Sequence, residues 1–156
     1  MALKADRYEV QTDISFFYNA GIATRGGVVV HDTTAGSGAS MDQGVNLVKY
    51  AAATSATVPV GVLLNDVVNK DLTRTHLNQY KDEVQKGGKV TVLRKGYVVT
   101  NSITGTPIAG SGAYACHVNA GNIRMDSPAS SGQLLIGRFL TSKDADGYAK
   151  VEVNLP

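Results

Sequence analysis

Metal binding or nucleophilic chemistry in this chain would have to draw on three histidines and one cysteine, namely His31, His76, His117 and Cys116. A zinc site needs three or four such ligands at close spacing. Only Cys116 and His117 are neighbours, and adjacent strand residues point to opposite faces, so that pair does not readily share one ion. His31-Asp32 reads as a strand-ending turn. Asp144-Ala-Asp146-Gly147 opens like a calcium loop, but its glycine comes too early and the distal bidentate glutamate is missing. Gly36-Ser-Gly38 and Gly110-Ser-Gly112 have phosphate-cradle spacing without completing a dinucleotide or Walker signature. No G-x-S-x-G elbow presents any of the serines, and the carboxylates are scattered. These residues predict no cofactor, no metal and no enzymatic activity.

Composition narrows the remaining classes. Fifteen Lys plus Arg against 13 Asp plus Glu give a net charge of +2, too small for the sustained positive field that duplex nucleic acid demands. Lys86, Lys89, Arg94 and Lys95 form the one local basic concentration, read as the solvated face of a strand and its entry loop, with an acidic protein surface as the alternative partner. Apolar runs such as 28–30 and 134–136 are far short of the roughly 20 residues that span a bilayer, so no membrane partner is expected. The opening Met1-Ala-Leu-Lys-Ala-Asp-Arg7 lacks a secretory apolar stretch, which predicts synthesis in the cytoplasm. With Cys116 alone, no intrachain disulfide contributes. At 156 residues and 43% apolar, the chain is long enough for one domain with a hydrophobic core.

The elements that must position any site are strands. Seventeen glycines fall between apolar segments, as turns do in an all-β chain. Expected strands cover 27–31, 45–52, 57–64, 89–100, 112–118, 134–141 and 148–155. The last alternates cleanly, with Ala149, Val151, Val153 and Leu155 on one face and Tyr148, Lys150, Glu152 and Asn154 on the other. Asp146-Gly147 before it suits a type I′ turn, which predicts a terminal hairpin of 134–141 with 148–155.

Residues 70–86 break the β pattern: Leu72, His76, Tyr80 and Val84 recur every four residues, the stripe of one short helix capped by Asp71 and ended by Gly87-Gly88. Thr73 and Thr75 oppose it, leaving an ordered excursion as the rival. Residues 33–44 are small and polar and predict an exposed loop. Residues 1–13 lack a core pattern and read as an N-terminal arm, leading into Ile14-Ser-Phe-Phe-Tyr18, which holds two of the three phenylalanines. The expected organisation is therefore an arm at 1–13 and a single β-rich domain at 14–156. Its fold class is mainly β, a small barrel or tulip-like β-sandwich with at most one short helix.

Several segments together resemble the capsid decoration proteins of tailed bacteriophages, which cement and stabilise the head. They are Val58-Pro-Val-Gly-Val-Leu-Leu-Asn65, the block 72–101 from Leu-Thr-Arg-Thr-His to Gly-Tyr-Val-Val-Thr-Asn, Gly105-Thr-Pro-Ile-Ala-Gly110, Ala113-Tyr114, Ile136-Gly-Arg-Phe-Leu140, and Asp144 to Leu155. The resemblance covers about two-thirds of the chain and is weakest over residues 1–55. It implies a non-catalytic virion protein on the outer capsid surface, with the major capsid protein as partner, a homotrimeric state and no nucleic acid. With the arm-like start, it makes Leu3, Lys4, Arg7, Tyr8, Val10, Ile14 and Phe16 the expected capsid-binding residues, because an extended segment can add a strand to an exposed edge. The rival is a glycan- or host-surface-binding virion module, supported by seven tyrosines but weakened by the absence of tryptophan as a stacking platform.

Overall fold

The computed structural model describes residues 3–21, 23–32, 46–50, 58–66, 83–84, 86–116, 119–125 and 135–156. Among them there are strands and turns and no helix, so the fold is mainly β. In chain order the strands are β1 (Leu3–Tyr18), β2 (Ala23–Thr24), β3 (Val28–His31), β4 (Leu47–Tyr50), β5 (Pro59–Asp66) and β6 (Glu83–Val84). They continue as β7 (Lys89–Thr100), β8 (Ile103–Thr104), β9 (Gly112–Ala115), β10 (Ile123–Arg124), β11 (Leu135–Phe139) and β12 (Ala149–Asn154).

One sheet runs β1-β4-β3-β5-β7-β12-β11-β9-β10-β8, and β1 also pairs with β7. That extra pairing closes β1, β4, β3, β5 and β7 into a ring, from which the rest of the sheet continues. β7 is the hinge of the arrangement. One of its edges pairs β5 through Val90–Leu93 and β12 through Lys95–Thr100, while its other edge carries β1.

Period-two alternation explains why the ring holds two cores. Val28, Val29 and Val30 are all fully buried, since a strand covered on both faces reads as a continuous apolar run. Val28 and Val30 face one cluster with Val62, Leu64, Val98, Ile136, Phe139 and Val151. Val29 faces the other, with Phe16, Tyr18, Val48, Val60, Val90 and Val92. The wall between the cores is thus built by β3 and β5.

The terminal hairpin forms as expected, with Arg138 opposite Glu152 and Phe139 opposite Val151. Ala149, Val151, Val153 and Leu155 are buried. Its turn differs from the expected type I′, which needs positive φ at both central residues. Only Gly147 has it, at 85°. The Asp144 carboxylate accepts from the backbone N–H of Asp146 at 3.0 Å and of Tyr148 at 2.8 Å, and Gly147 N–H reaches the Asp144 carbonyl at 3.0 Å. That is an ordinary turn finished by a left-handed glycine.

The helix expected at 70–86 is corrected at its end. Glu83 and Val84 form β6, paired to Thr24 and Ala23, and Val84 is fully buried in the second core. β-branched Val84 contributes more there than a helical stripe would, and the 87–88 turn is fixed by Gly87 N–H donating to Tyr18 O and Tyr18 N–H donating to Gly88 O. Residues 70–82 and 85 of that expectation, the expected loop at 33–44, His76, His117 and Gly36–Gly38 lie outside the described residues.

Candidate interaction surface

Every expected contact residue lies on β1, which from Leu3 onward runs antiparallel along β7, from Leu3 opposite Thr100 to Phe17 opposite Lys89. Its register slips between Leu3 and Arg7, between Glu9 and Gln11, again between Gln11 and Thr12, and between Asp13 and Phe16. The last slip has a local cause. Asp13 accepts from the Ser15 N–H at 2.8 Å and from the Ser15 hydroxyl at 2.5 Å, and such a side-chain-to-backbone bond competes with ladder pairing. Extra residues of this kind bend and twist a strand.

The seven residues separate into three groups. Leu3 is buried in the first core and Phe16 in the second, so they anchor the two ends of β1. Tyr8, Val10 and Ile14 are 59%, 63% and 51% exposed. Lys4 lies 3.2 Å from the Asp144 carboxylate and its ammonium sits 4.1 Å from the Tyr148 ring centroid, tying the start of β1 to the β11–β12 turn. Arg7 pairs with Glu9 at 2.7 Å.

Cross-strand order accounts for the rest of the face. Tyr8 lies opposite Tyr97, and Tyr97 opposite Glu152, and Glu152 opposite Arg138. The Tyr8 and Tyr97 ring centroids are 5.9 Å apart. Lys150 stands over the Tyr97 ring at 3.7 Å and reaches Asp6 at 3.7 Å, while Arg138 meets Glu152 at 2.7 Å. Each charged side chain of β1 is therefore matched within the chain: Lys4 by Asp144, Asp6 by Lys150, Arg7 by Glu9, and Asp13 by Arg94 at 3.7 Å. Exposed pairs of this kind are worth little in stability, but they satisfy the charges of β1 within the chain and leave Tyr8, Val10 and Ile14 as its exposed apolar side chains.

Two members of the basic concentration are engaged within the chain. Arg94, besides Asp13, donates to the Pro156 carbonyl, and Lys89 lies over the Phe17 ring at 5.9 Å. Two carboxylates are perturbed. For Asp13, burial pushes the pKa up, yet the Ser15 hydroxyl, the Ser15 N–H and Arg94 together bring it below the ordinary 3.8. For Asp144, the Tyr148 N–H is the main cause of a lowered value, aided by Lys4.

A second feature lies beyond β12 on the same sheet. An open hollow of 520 Å³ is lined by Gly110, Gly112, Tyr114, Leu135, Gly137, Arg138, Glu152 and Asn154, with Leu135 54% exposed. Nothing in the sequence marks these residues together, because β9, β11 and β12 meet only through long-range pairing. Among the described residues no group of three potential metal ligands is gathered.

The phage cement family model, described as structural cement protein (E217 gp24/Pam3 gp6), matches residues 6–154. A search of curated proteins finds no match.

Proposed function

Because the chain belongs to the phage structural cement protein family, we propose that it binds the outer surface of the assembled head and bridges neighbouring major capsid subunits. The role is non-catalytic and places the protein in the virion, synthesised in the host cytoplasm. The observation that carries the contact assignment is the exposure of Tyr8, Val10 and Ile14 on a strand whose charged side chains are all matched internally. Partly apolar patches of this kind are what protein partners cover.

In this reading Lys4 and Arg7 rim the contact, and Leu3 and Phe16 act from beneath by pinning the strand to the two cores. Residues 3–13 reach the capsid as part of a sheet. That rigidity limits the ordering cost of binding. Grouping of copies then makes later contacts effectively intramolecular and raises avidity; the threefold grouping implied by the sequence resemblance is one such arrangement.

The test is addition of purified protein to heads that lack it, followed by sedimentation and by heating of the heads. Saturable co-sedimentation with a raised temperature of head disruption supports the proposal. Protein that stays in the supernatant at every concentration overturns it.

A further inference from the structure

The hollow over β9, β11 and β12 measures 520 Å³, inside the roughly 300–1,000 Å³ of small-molecule sites. Its space comes from missing side chains. Gly112 lies opposite Arg138, and Tyr114 opposite Leu135. A Cβ on Gly112 would stand in the space between them, 3.0 Å from Tyr114 Cε2 and 3.2 Å from Leu135 Cδ1. Gly137 cannot carry a side chain at all, since its Cβ would run into the Glu152 carbonyl.

The walls are of two kinds. Tyr114 and Leu135, the latter more than half exposed, form an apolar one. Arg138, Glu152 and Asn154 form a polar one, in which Arg138 Nε donates to Glu152 Oε2 at 2.7 Å. That bond uses one guanidinium N–H and one carboxylate oxygen, so further donors and an acceptor remain, and the Asn154 carboxamide adds both. The charges of Arg138 and Glu152 cancel, which leaves the lining neutral. Strands β9, β11 and β12 each have a neighbour on both sides, so the hollow offers no backbone edge to an incoming peptide strand.

We infer that this hollow is a carbohydrate site, taking one neutral hexopyranose unit of a glycan. Such a ring has a face of C–H groups, which suits the wall of Tyr114 and Leu135. Its rim of hydroxyls, each both donor and acceptor, suits Arg138, Glu152 and Asn154. A carboxylated or phosphorylated sugar would have to take Arg138 from Glu152, and an amino sugar Glu152 from Arg138, so charge gives neither an advantage. The chain has no tryptophan, but a single sugar ring needs a single platform. The five wall residues all stand on strands, which limits the ordering cost of binding. The site is separate from Tyr8, Val10 and Ile14, because β7 lies between β12 and β1, and it does not rest on the capsid-binding proposal.

The test is an NMR titration of the full chain with the methyl glycosides of glucose, galactose, mannose and N-acetylglucosamine. Glucuronic acid, sialic acid and glucosamine serve as charged probes. At least one neutral glycoside is expected to bind saturably, with a dissociation constant on the order of 1 mM, and to shift the signals of Tyr114, Leu135 and Asn154. No charged probe is expected to bind more tightly. Tyr114→Ala should raise the constant on the order of tenfold, Tyr114→Phe about twofold or less, and Asn154→Ala, at an exposed position, about fivefold. Circular dichroism on each variant separates a lost site from lost folding. Saturation by no neutral glycoside overturns the inference, as does tighter binding of a charged probe or parental affinity in folded Tyr114→Ala and Asn154→Ala. Loss of head binding in Asn154→Ala with no glycoside bound would give the hollow to the capsid and overturn it too. Protein that binds heads but no sugar would remove this site and leave the proposed function standing; protein that binds a sugar but no heads would do the reverse.

Discussion

Gly96 lies against the carbonyl oxygen of Tyr8, at the point where a Cβ on residue 96 would have to go, and its φ is +139°. Here β7 passes from one pairing regime to another. Leu93 and Val98 both face the first core, although residues five apart on a regular strand point to opposite faces. The register slips beside Gly96 resolve this. Gly96→Ala is therefore expected to cost about 2 kcal/mol or more, by strained φ and by displacement of β1. A fall in the urea midpoint measures it. An unchanged midpoint would mean that β1 is not held tightly against β7.

Lys4 and Asp144 join the first strand to the last hairpin, and their bond predicts an acid sensitivity. Asp13 and Asp144 both have carboxyl pKa values below the ordinary 3.8. A depressed value contributes stability that is complete above 3.8 and is lost as pH falls through the folded value. The melting temperature should hold steady from neutral pH and drop below pH 3.8. Asp13→Asn should reduce the size of that drop. Asp144→Asn should reduce it too, chiefly through the turn, since its pair with Lys4 is exposed and salt-screened. A drop of equal size in both variants would assign the acid transition to other carboxylates.

How legible this molecule is depends on what each strand buries. β7 was readable to its ends because Val90, Val92, Leu93 and Val98 are core residues in a β-branched run, and β12 because Ala149, Val151 and Val153 alternate without interruption. β1 reads as an arm since residues 4–15 are almost entirely outside the cores and its slips break any period of two. Leu3 and Phe16 are its apolar ends, and only the long-range pairing of β1 with β7 brings them into two different cores. The four-residue spacing that ends at Val84 suggests a helix, yet the same spacing arises when a lone core valine follows a polar segment, and Val84 is a strand residue of the second core. The face around Tyr8 depends on Tyr97 and Lys150, which only long-range register brings alongside.

Tyr50 packs its ring against Gly27 and Gly121 while its hydroxyl donates to the Thr24 carbonyl. Burial, reinforced by nearby Tyr18, pushes its phenol well above the ordinary 10. A raised folded value keeps stability complete below pH 10, and that stability is lost as pH rises beyond it. Tyr50→Phe keeps the ring packing and removes one hydrogen bond, costing about 1 kcal/mol. Gly121→Ala should cost more, because the added methyl meets the Tyr50 ring at 2.7 Å and φ is +81°. Chemical denaturation of both variants gives the order. Gly121→Ala proving the milder change would contradict the packing described.

Phe16 and Val10 occupy the same strand but opposite situations, and together they separate support from contact. Phe16 fills the second core, so Phe16→Ala should lower stability by about 3 kcal/mol. Provided the protein remains folded at the assay temperature, its affinity for heads should change little. Val10 and Ile14 are exposed, so Val10→Asp and Ile14→Asp should leave unfolding midpoints within about 0.5 kcal/mol of the parent. On heads the two aspartates should act oppositely to the core change, since an unpaired charge buried against a partner is expensive. Co-sedimentation measured beside thermal melting gives both axes at once. Full head binding by the double Val10→Asp, Ile14→Asp protein would move the grip away from β1 and toward the hollow around Leu135.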